Sequence, residues 1–423
     1  MSAEPFSLRR IAIPAFGPSF LFGLGEGAIL PVIALSVRNL GGSVALAALA
    51  VTLIGIGSLV SNIPASIITM RYGERWAIVG AAVWGAVAMV LCGTVPHLAV
   101  FALGTFMVGM SAAVFGLARQ SYLTEAVPFH FRARALSTLG GVMRIGLFVG
   151  PFVAAGLIHL MGIAGAYWAG AGALLVAAAV AVRMPDLPEP EVAPSPASTD
   201  ASTDASAGAS ASASAVFSNA LHARPTIRSV GADHLKLLAT VGIGVLLVSA
   251  VRASRQAVIP LWAENIGLEA AVTSLIYGLA GGIDMLVFYP AGKVMDKKGR
   301  AWVAVPSMAI MGIALLLVPF THGATALLMA SMLIGFGNGI GSGMVMTLGA
   351  DYSPVAGRAH FLGLWRLMSD IGSTAGPGLL SAATALVSLA TGIWCTAGLA
   401  FAASATLWYW IPRMASYARP KKR

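Results

Sequence analysis

Gly146-Leu147-Phe148-Val149-Gly150-Pro151 returns further along the chain as Gly372-Ser373-Thr374-Ala375-Gly376-Pro377, an offset of 226 residues (372 − 146 = 226). Other landmarks keep the same register. Asn39-Leu40-Gly41 meets Asn265-Ile266-Gly267, Gly73 meets Gly299, and Arg132 meets Arg358. Matches in one register on both sides of a hydrophilic insert read as one duplicated unit. Both copies are strongly apolar. Internal duplication of an apolar bundle is how membrane transporters place a site between two moving halves.

Composition points the same way. Of 423 residues, 58% are hydrophobic and 10% charged, against about 25% charged in a soluble domain. Crossing a hydrocarbon core of roughly 30 Å takes about 20 apolar residues. Twelve such runs are present, at 11–36, 43–67, 76–95, 98–123, 136–160, 163–183, 235–260, 270–293, 301–320, 324–350, 359–384 and 388–412. Lipid leaves the backbone few alternatives to internal hydrogen bonding, so each run is expected to be a helix. The predicted fold is an all-α membrane protein: twelve transmembrane helices in two pseudo-symmetric six-helix bundles, residues 1–183 and 234–423. Residues 184–233 repeat Ala, Ser, Thr, Asp and Pro without apolar periodicity and are expected to form a flexible cytoplasmic linker.

A formal charge of +10 invites a nucleic-acid reading, which the placement of the charges excludes. With the N-terminus inside, Arg71, Arg75, Arg132, Arg134, Lys293, Lys297, Lys298, Arg300 and Arg358 all fall on one side, and the opposite loops hold only Arg38. This asymmetry predicts a multi-pass protein of the plasma (inner) membrane with both termini cytoplasmic. Cys92 and Cys395 lie in separate helices with no disulfide or metal-ligand spacing. No phosphate-cradling G-x-x-x-x-G-K-[ST] loop, His-Glu-x-x-His pair or Ser-His-Asp cluster is present, so ATP-driven and enzymatic readings are set aside. No cofactor or metal is expected.

Gly292-Lys-Val-Met-Asp296-Lys297-Lys-Gly299-Arg300 resembles the G-x-x-x-D-[RK]-x-G-[RK] signature of the major facilitator superfamily (MFS). Its glycines are suited to a tight turn and close helix approach, and its charges to pinning neighbouring helix ends. The first-half copy has Ser66 and Met70 in place of the Gly and Asp, keeping Arg71, Gly73 and Arg75. Gly146-x-x-x-Gly150-Pro151 looks like the antiporter motif of twelve-helix drug/proton exporters in this superfamily, and equally like a helix-packing groove. Its recurrence at Gly372, Gly376 and Pro377 dilutes its value as an export marker, and Thr105 stands where such exporters carry an Arg ahead of Gly109. Glu125 with Arg132, and Asp351 with Arg358, resemble acid–base pairs that brace the inner gate.

Eight ionisable residues fall inside the runs: Glu26, Arg119, Arg144, Arg252, Arg255, Asp284, Arg366 and Asp370. Such residues are costly in lipid and are functional candidates. Arg144, Asp284 and Asp370 each stand twelve residues from a cytoplasmic anchor (Arg132, Asp296 and Arg358), about 18 Å deep at about 1.5 Å per residue. The resemblance implies that helices five and eight face each other, so Arg144 and Asp284 would meet across the interface, as a switchable ion pair or a permanent bridge. Glu26 follows Gly23 and Gly25 and precedes Gly27 and Pro31, small residues and a proline expected to loosen the helix and open space beside a cavity. It is a candidate proton carrier, a contact for a substrate cation, or a partner for Arg252 or Arg255. Asp284 and Asp370 are further proton-coupling candidates. Arg252, Arg255 and Gln256 share a helix face and, with Glu26, are the substrate-cavity candidates. Arg366 and Asp370 are spaced as an intrahelical pair, and Arg119 is expected to extend to the cytoplasmic edge.

The resulting expectation is a monomeric secondary active transporter working by alternating access, with a small-molecule substrate, protons and the lipid bilayer as its partners. Proton-coupled export of small organic or drug-like molecules leads. A transporter of organic anions, from five embedded Arg against three acids, and a non-transporting receptor on the same scaffold are the alternatives.

Overall fold

A computed structural model describes residues 12–127, 129–184, 227–354 and 358–414. Its helices are α1 (Ala12–Ile29), α2 (Ile33–Asn39), α3 (Val44–Thr94), α4 (Leu98–Ala126), α5 (Phe129–Met161), α6 (Ala164–Val182), α7 (Ile227–Asp233), α8 (Leu235–Asn265), α9 (Ala270–Lys298), α10 (Ala301–Leu317), α11 (Ala324–Ile340), α12 (Met344–Tyr352), α13 (Arg358–Leu386) and α14 (Leu389–Arg413). Among the described residues, ten stretches are long and apolar enough to cross a membrane. One of these, Val44–Thr94, turns back on itself and crosses twice, and α13, which carries Arg366, Asp370 and many small polar residues, makes the twelfth crossing. The twelve-helix architecture is therefore the one expected.

Duplication is visible in the backbone. Gly73 and Gly299, one repeat apart, both take left-handed φ (77° and 98°), and so do Gly41 and Gly267 (81° and 78°). These sharp turns demand a residue without Cβ. Gly73 is the bend inside α3, where the expected runs 43–67 and 76–95 join with no longer loop between them.

Glycine also brings helices together. A Cβ on Gly146 or Gly150 of α5 would strike the backbone of α1 at Phe20 and Leu24, and one on Gly372 or Gly376 of α13 would strike α8 at Leu246 and Ala250. The two copies of the motif thus perform the same backbone-to-backbone packing in each half. Pro151 and Pro377 lie within continuous helix.

Several details depart from expectation. The first run is broken: Pro31 has no N–H to donate to Gly27, and the chain turns through Leu30–Val32 before α2 resumes. Gly23 and Gly27 do not open space beside Glu26, because their faces are filled by Met143 and Leu147 of α5. Gly292 makes no close approach. Residues 227–233, assigned to the linker, form α7, which buries Val230 and sets Gly231 beside Leu364 of α13. Residues 185–226 of the expected linker, and the chain ends at 1–11 and 415–423, lie outside the described residues.

Candidate functional site

The halves meet where α3 packs on α13 and α5 on α9. The α4–α5, α9–α10 and α12–α13 connections share one end of the bundle, the terminal end, and the α2–α3, α5–α6, α8–α9 and α13–α14 connections share the far end. Between them a cavity of about 130 Å³ is lined from α1 by Glu26, from α5 by Arg144, Leu147 and Phe148, from α8 by Arg255, Gln256 and Ile259, and from α9 by Tyr277, Asp284 and Met285.

Arg144 and Asp284 do meet across the interface. Arg144 Nη1 lies 3.9 Å from Asp284 Oδ1 and Arg255 Nη2 lies 3.5 Å from Oδ2. Asn338 of α11 donates a hydrogen bond from Nδ2 to Oδ2. Both ion pairs are loose: Asp284 Oδ1 and Arg255 Nε are buried with no hydrogen-bond partner. The Arg144 guanidinium also sits 4.4 Å from the centroid of the Phe288 ring, a favourable cation–π placement.

Arg252 does not line this cavity, although its face of α8 predicted that it would. Its guanidinium turns to the break between α11 and α12, where a Cβ on Gly341 would stand 2.8 Å from Nη2. Its Nε and Nη2 are buried without hydrogen-bond partners. Arg119 is a clearer correction. It stays inside the bundle, 6.0 Å from the Phe115 ring, with Nε and Nη1 buried. Sequence distance to the loop gave its depth but not the direction its side chain takes from α4. No ion pair joins Glu26 to Arg252 or Arg255.

Asp370 belongs to a different space. It pairs loosely with Arg366 (3.8 Å) as expected and accepts a 3.2 Å hydrogen bond from Asn62 of the other half. Both line a wider cavity of about 440 Å³ towards the terminal end, with Leu117, His360 and Leu364. The far end is shut. Arg38 Nε donates to Glu264 Oε1 at 2.9 Å, Ser381 Oγ donates to Ala45 O at 2.7 Å, and Phe148 and Phe152 fill the faces of Gly282 and Gly278.

At the terminal end the signature loop works as a brace. Arg300 donates to Asp351 (2.7 Å) and to Asp296 (3.1 Å), joining α9 to α12. The hydrogen bond to Asp351, helped by Asp296, holds the Arg300 pKa above its ordinary value despite partial burial. Asp351 therefore pairs with Arg300 and not with Arg358, because the turn at Gly299 carries Arg300 back over α12. In the first half Glu74 occupies the equivalent of Arg300 and accepts from Ser121 (3.0 Å), while Arg75 donates to Met184 O (3.2 Å). Glu125 and Lys297 are exposed. The Arg132 side chain lies outside the described residues.

Asn338, Tyr277 and Asn62 escaped the sequence reading because neutral residues in a span carry no charge signal. Arg38–Glu264 escaped it although it was legible, since the two positions are one repeat apart with opposite charges.

The sequence profile of the Major Facilitator Superfamily matches residues 16–377 and, in a second register, 241–423. The chain belongs to this superfamily of transporters. Among curated proteins it is similar to the "Uncharacterized MFS-type transporter YfkF" of Bacillus subtilis (strain 168), at 30% identity over 140 residues, 32% of this chain and 35% of that protein. The match thus spans about a third of the relative's length. Among solved structures it resembles a bacterial homologue of the human lysosomal transporter Spinster in an inward-facing and unoccupied conformation (TM-score 0.75, 12% identity, covering 100% of each chain). It also resembles a D-xylose–proton symporter (0.71, 15%, 95% of this chain and 97% of that one) and the human organic anion transporter MFSD10 (0.62, 15%, 94% and 99%). At these identities the likeness is one of fold.

Proposed function

We propose that this MFS transporter is a proton-coupled secondary transporter of small organic molecules in the plasma membrane, with its termini in the cytoplasm and Glu26 as the group that carries or gates the proton. The observation that carries the reading is the placement of Glu26: a carboxylate in the cavity between the halves, backed by Arg119 and separated from bulk water at the far end by the Arg38–Glu264 contact. A carboxylate in such a site changes its proton affinity when the surrounding charges and water access change. Alternating access supplies that change. The wider cavity at Asp370 opens towards the terminal end, which fits a cytoplasm-facing state. Drug-like export remains the direction named by the Gly146–Pro151 motif. Because both copies of that motif serve packing, it lends the direction little support.

The test uses compounds that stabilise the purified protein in a thermal-shift screen. In proteoliposomes the wild type accumulates them, or expels them, against a gradient when a pH difference is imposed. Glu26→Gln still binds and exchanges them but no longer follows the pH difference. Equal pH dependence in both proteins removes Glu26 from the coupling role.

A further inference from the structure

Two guanidiniums of the cavity, Arg144 and Arg255, share one ion-paired acid, Asp284. Of the embedded cations, Arg119 lies outside the cavity lining, beside Phe115, and Arg366 pairs with Asp370. Three guanidiniums, Arg144, Arg252 and Arg255, are left around Asp284. Arg252 points away from the cavity to the C-terminal end of α11 at Gly341, where a helix presents about half a negative charge. That leaves Arg144 and Arg255 sharing a single carboxylate.

Their hold on it is incomplete. Separations of 3.9 and 3.5 Å exceed the roughly 2.7–2.9 Å of a charge-assisted hydrogen bond. Arg255 Nε and Asp284 Oδ1 are buried without hydrogen-bond partners. Asn338, by contrast, grips Asp284 from outside the cavity. Asp284 can therefore stay anchored while the two guanidiniums turn to another anion. Guanidinium is suited to that exchange, since its planar fork matches a carboxylate. Leu147, Phe148, Ile259 and Met285 offer apolar wall beside the fork.

We propose that the cargo is a singly charged organic carboxylate whose head group binds Arg144 and Arg255 in place of Asp284, and that it binds together with the proton on Glu26. Glu26 lines the same cavity, so its ionised form repels a second anion and its protonated form does not. Carboxylate and proton then travel in the same direction. This inference rests on the reading of the cavity as the transport site.

The probes are sodium acetate and sodium benzoate, compared with sodium chloride and benzamide at equal concentration and ionic strength, in thermal-shift titrations of the purified full chain. The carboxylates raise Tm saturably and the controls do not. Asp284→Asn, which removes the resident competitor, is less stable alone and gains more from acetate than the wild type does. Arg255→Gln weakens the apparent carboxylate affinity at least tenfold; if it fails to fold, Arg255→Lys, which keeps charge but loses the fork, takes its place with the same direction of change. Glu26→Gln keeps the carboxylate response, so loss of proton coupling in that variant is read separately from loss of the anion site. Equal shifts with benzoate and benzamide, an unchanged response in the Arg255 variants, or no carboxylate response in either wild type or Asp284→Asn overturns the proposal.

Discussion

Arg38 and Glu264 occupy the same position in the two repeats, carry opposite charges, and bond to each other at 2.9 Å. A duplicated position near the pseudo-symmetry axis faces its own copy, so divergence to opposite signs converts a repulsion into a latch. The contact ties α2 to the end of α8 at the closed far end.

Both side chains are about a third exposed (34% and 31%), so the pair contributes at most about 1 kcal/mol. Arg38→Glu should replace attraction by repulsion and raise the far-open population several-fold. The combined exchange Arg38→Glu with Glu264→Arg should restore it. Accessibility of a cysteine placed at the far end of the cavity reads both. An unchanged distribution in Arg38→Glu would show that the contact does not gate.

Arg144 and Asp284 should behave as a coupled pair. Arg144→Gln alone leaves Asp284 with Arg255 and costs less than Asp284→Asn, which strands Arg144 and Arg255 together. The double variant should be more stable than Asp284→Asn alone, by about 1–3 kcal/mol of coupling. Additive losses in a double-mutant cycle on thermal stability would show that the residues do not interact.

The repeated glycines give a prediction with an internal control. Gly146→Leu and Gly372→Leu drive side chains into the backbones of α1 and α8 and should cost about 1–3 kcal/mol or more through helix separation. Gly140 and Gly141 have open space around them, so Gly140→Ala should be near neutral. Folded yield and Tm in detergent compare the two classes.

The Arg300 brace should not titrate in the working range. Its pKa is raised on folding, so its contribution is complete below the ordinary arginine pKa, far above the working range, and fades only as pH rises through the still higher folded value. Arg300→Gln should lower stability by about 1 kcal/mol, with the same deficit across pH 6 to 9. A deficit that grew steeply on the alkaline side of that range would contradict it.

Much of this was legible in the chain. Lipid permits few backbone solutions, so the apolar runs and the 226-residue register gave the helices, and equal distance from loop anchors put Arg144 and Asp284 at one depth. Pro31 was read as loosening the first helix, and its missing N–H goes further and breaks the run into α1 and α2. The break at Gly341–Gly343 went unread, since glycine is frequent throughout these helices and only Gly343, with φ of 82°, reveals it. Depth along a helix is one coordinate, and rotation about its axis is the other. Arg119 and Arg252 were misplaced in the second, which packing against neighbouring helices decides.

Proton exchange on ligand binding tests the central claim most directly. Carboxylate is added to purified protein in weak buffer near pH 7.5, where benzoate itself is fully ionised, and the protons taken up are counted. The account predicts uptake that saturates with binding in the wild type and disappears in Glu26→Gln while binding persists. Binding without proton uptake in the wild type, or equal uptake in Glu26→Gln, would contradict it.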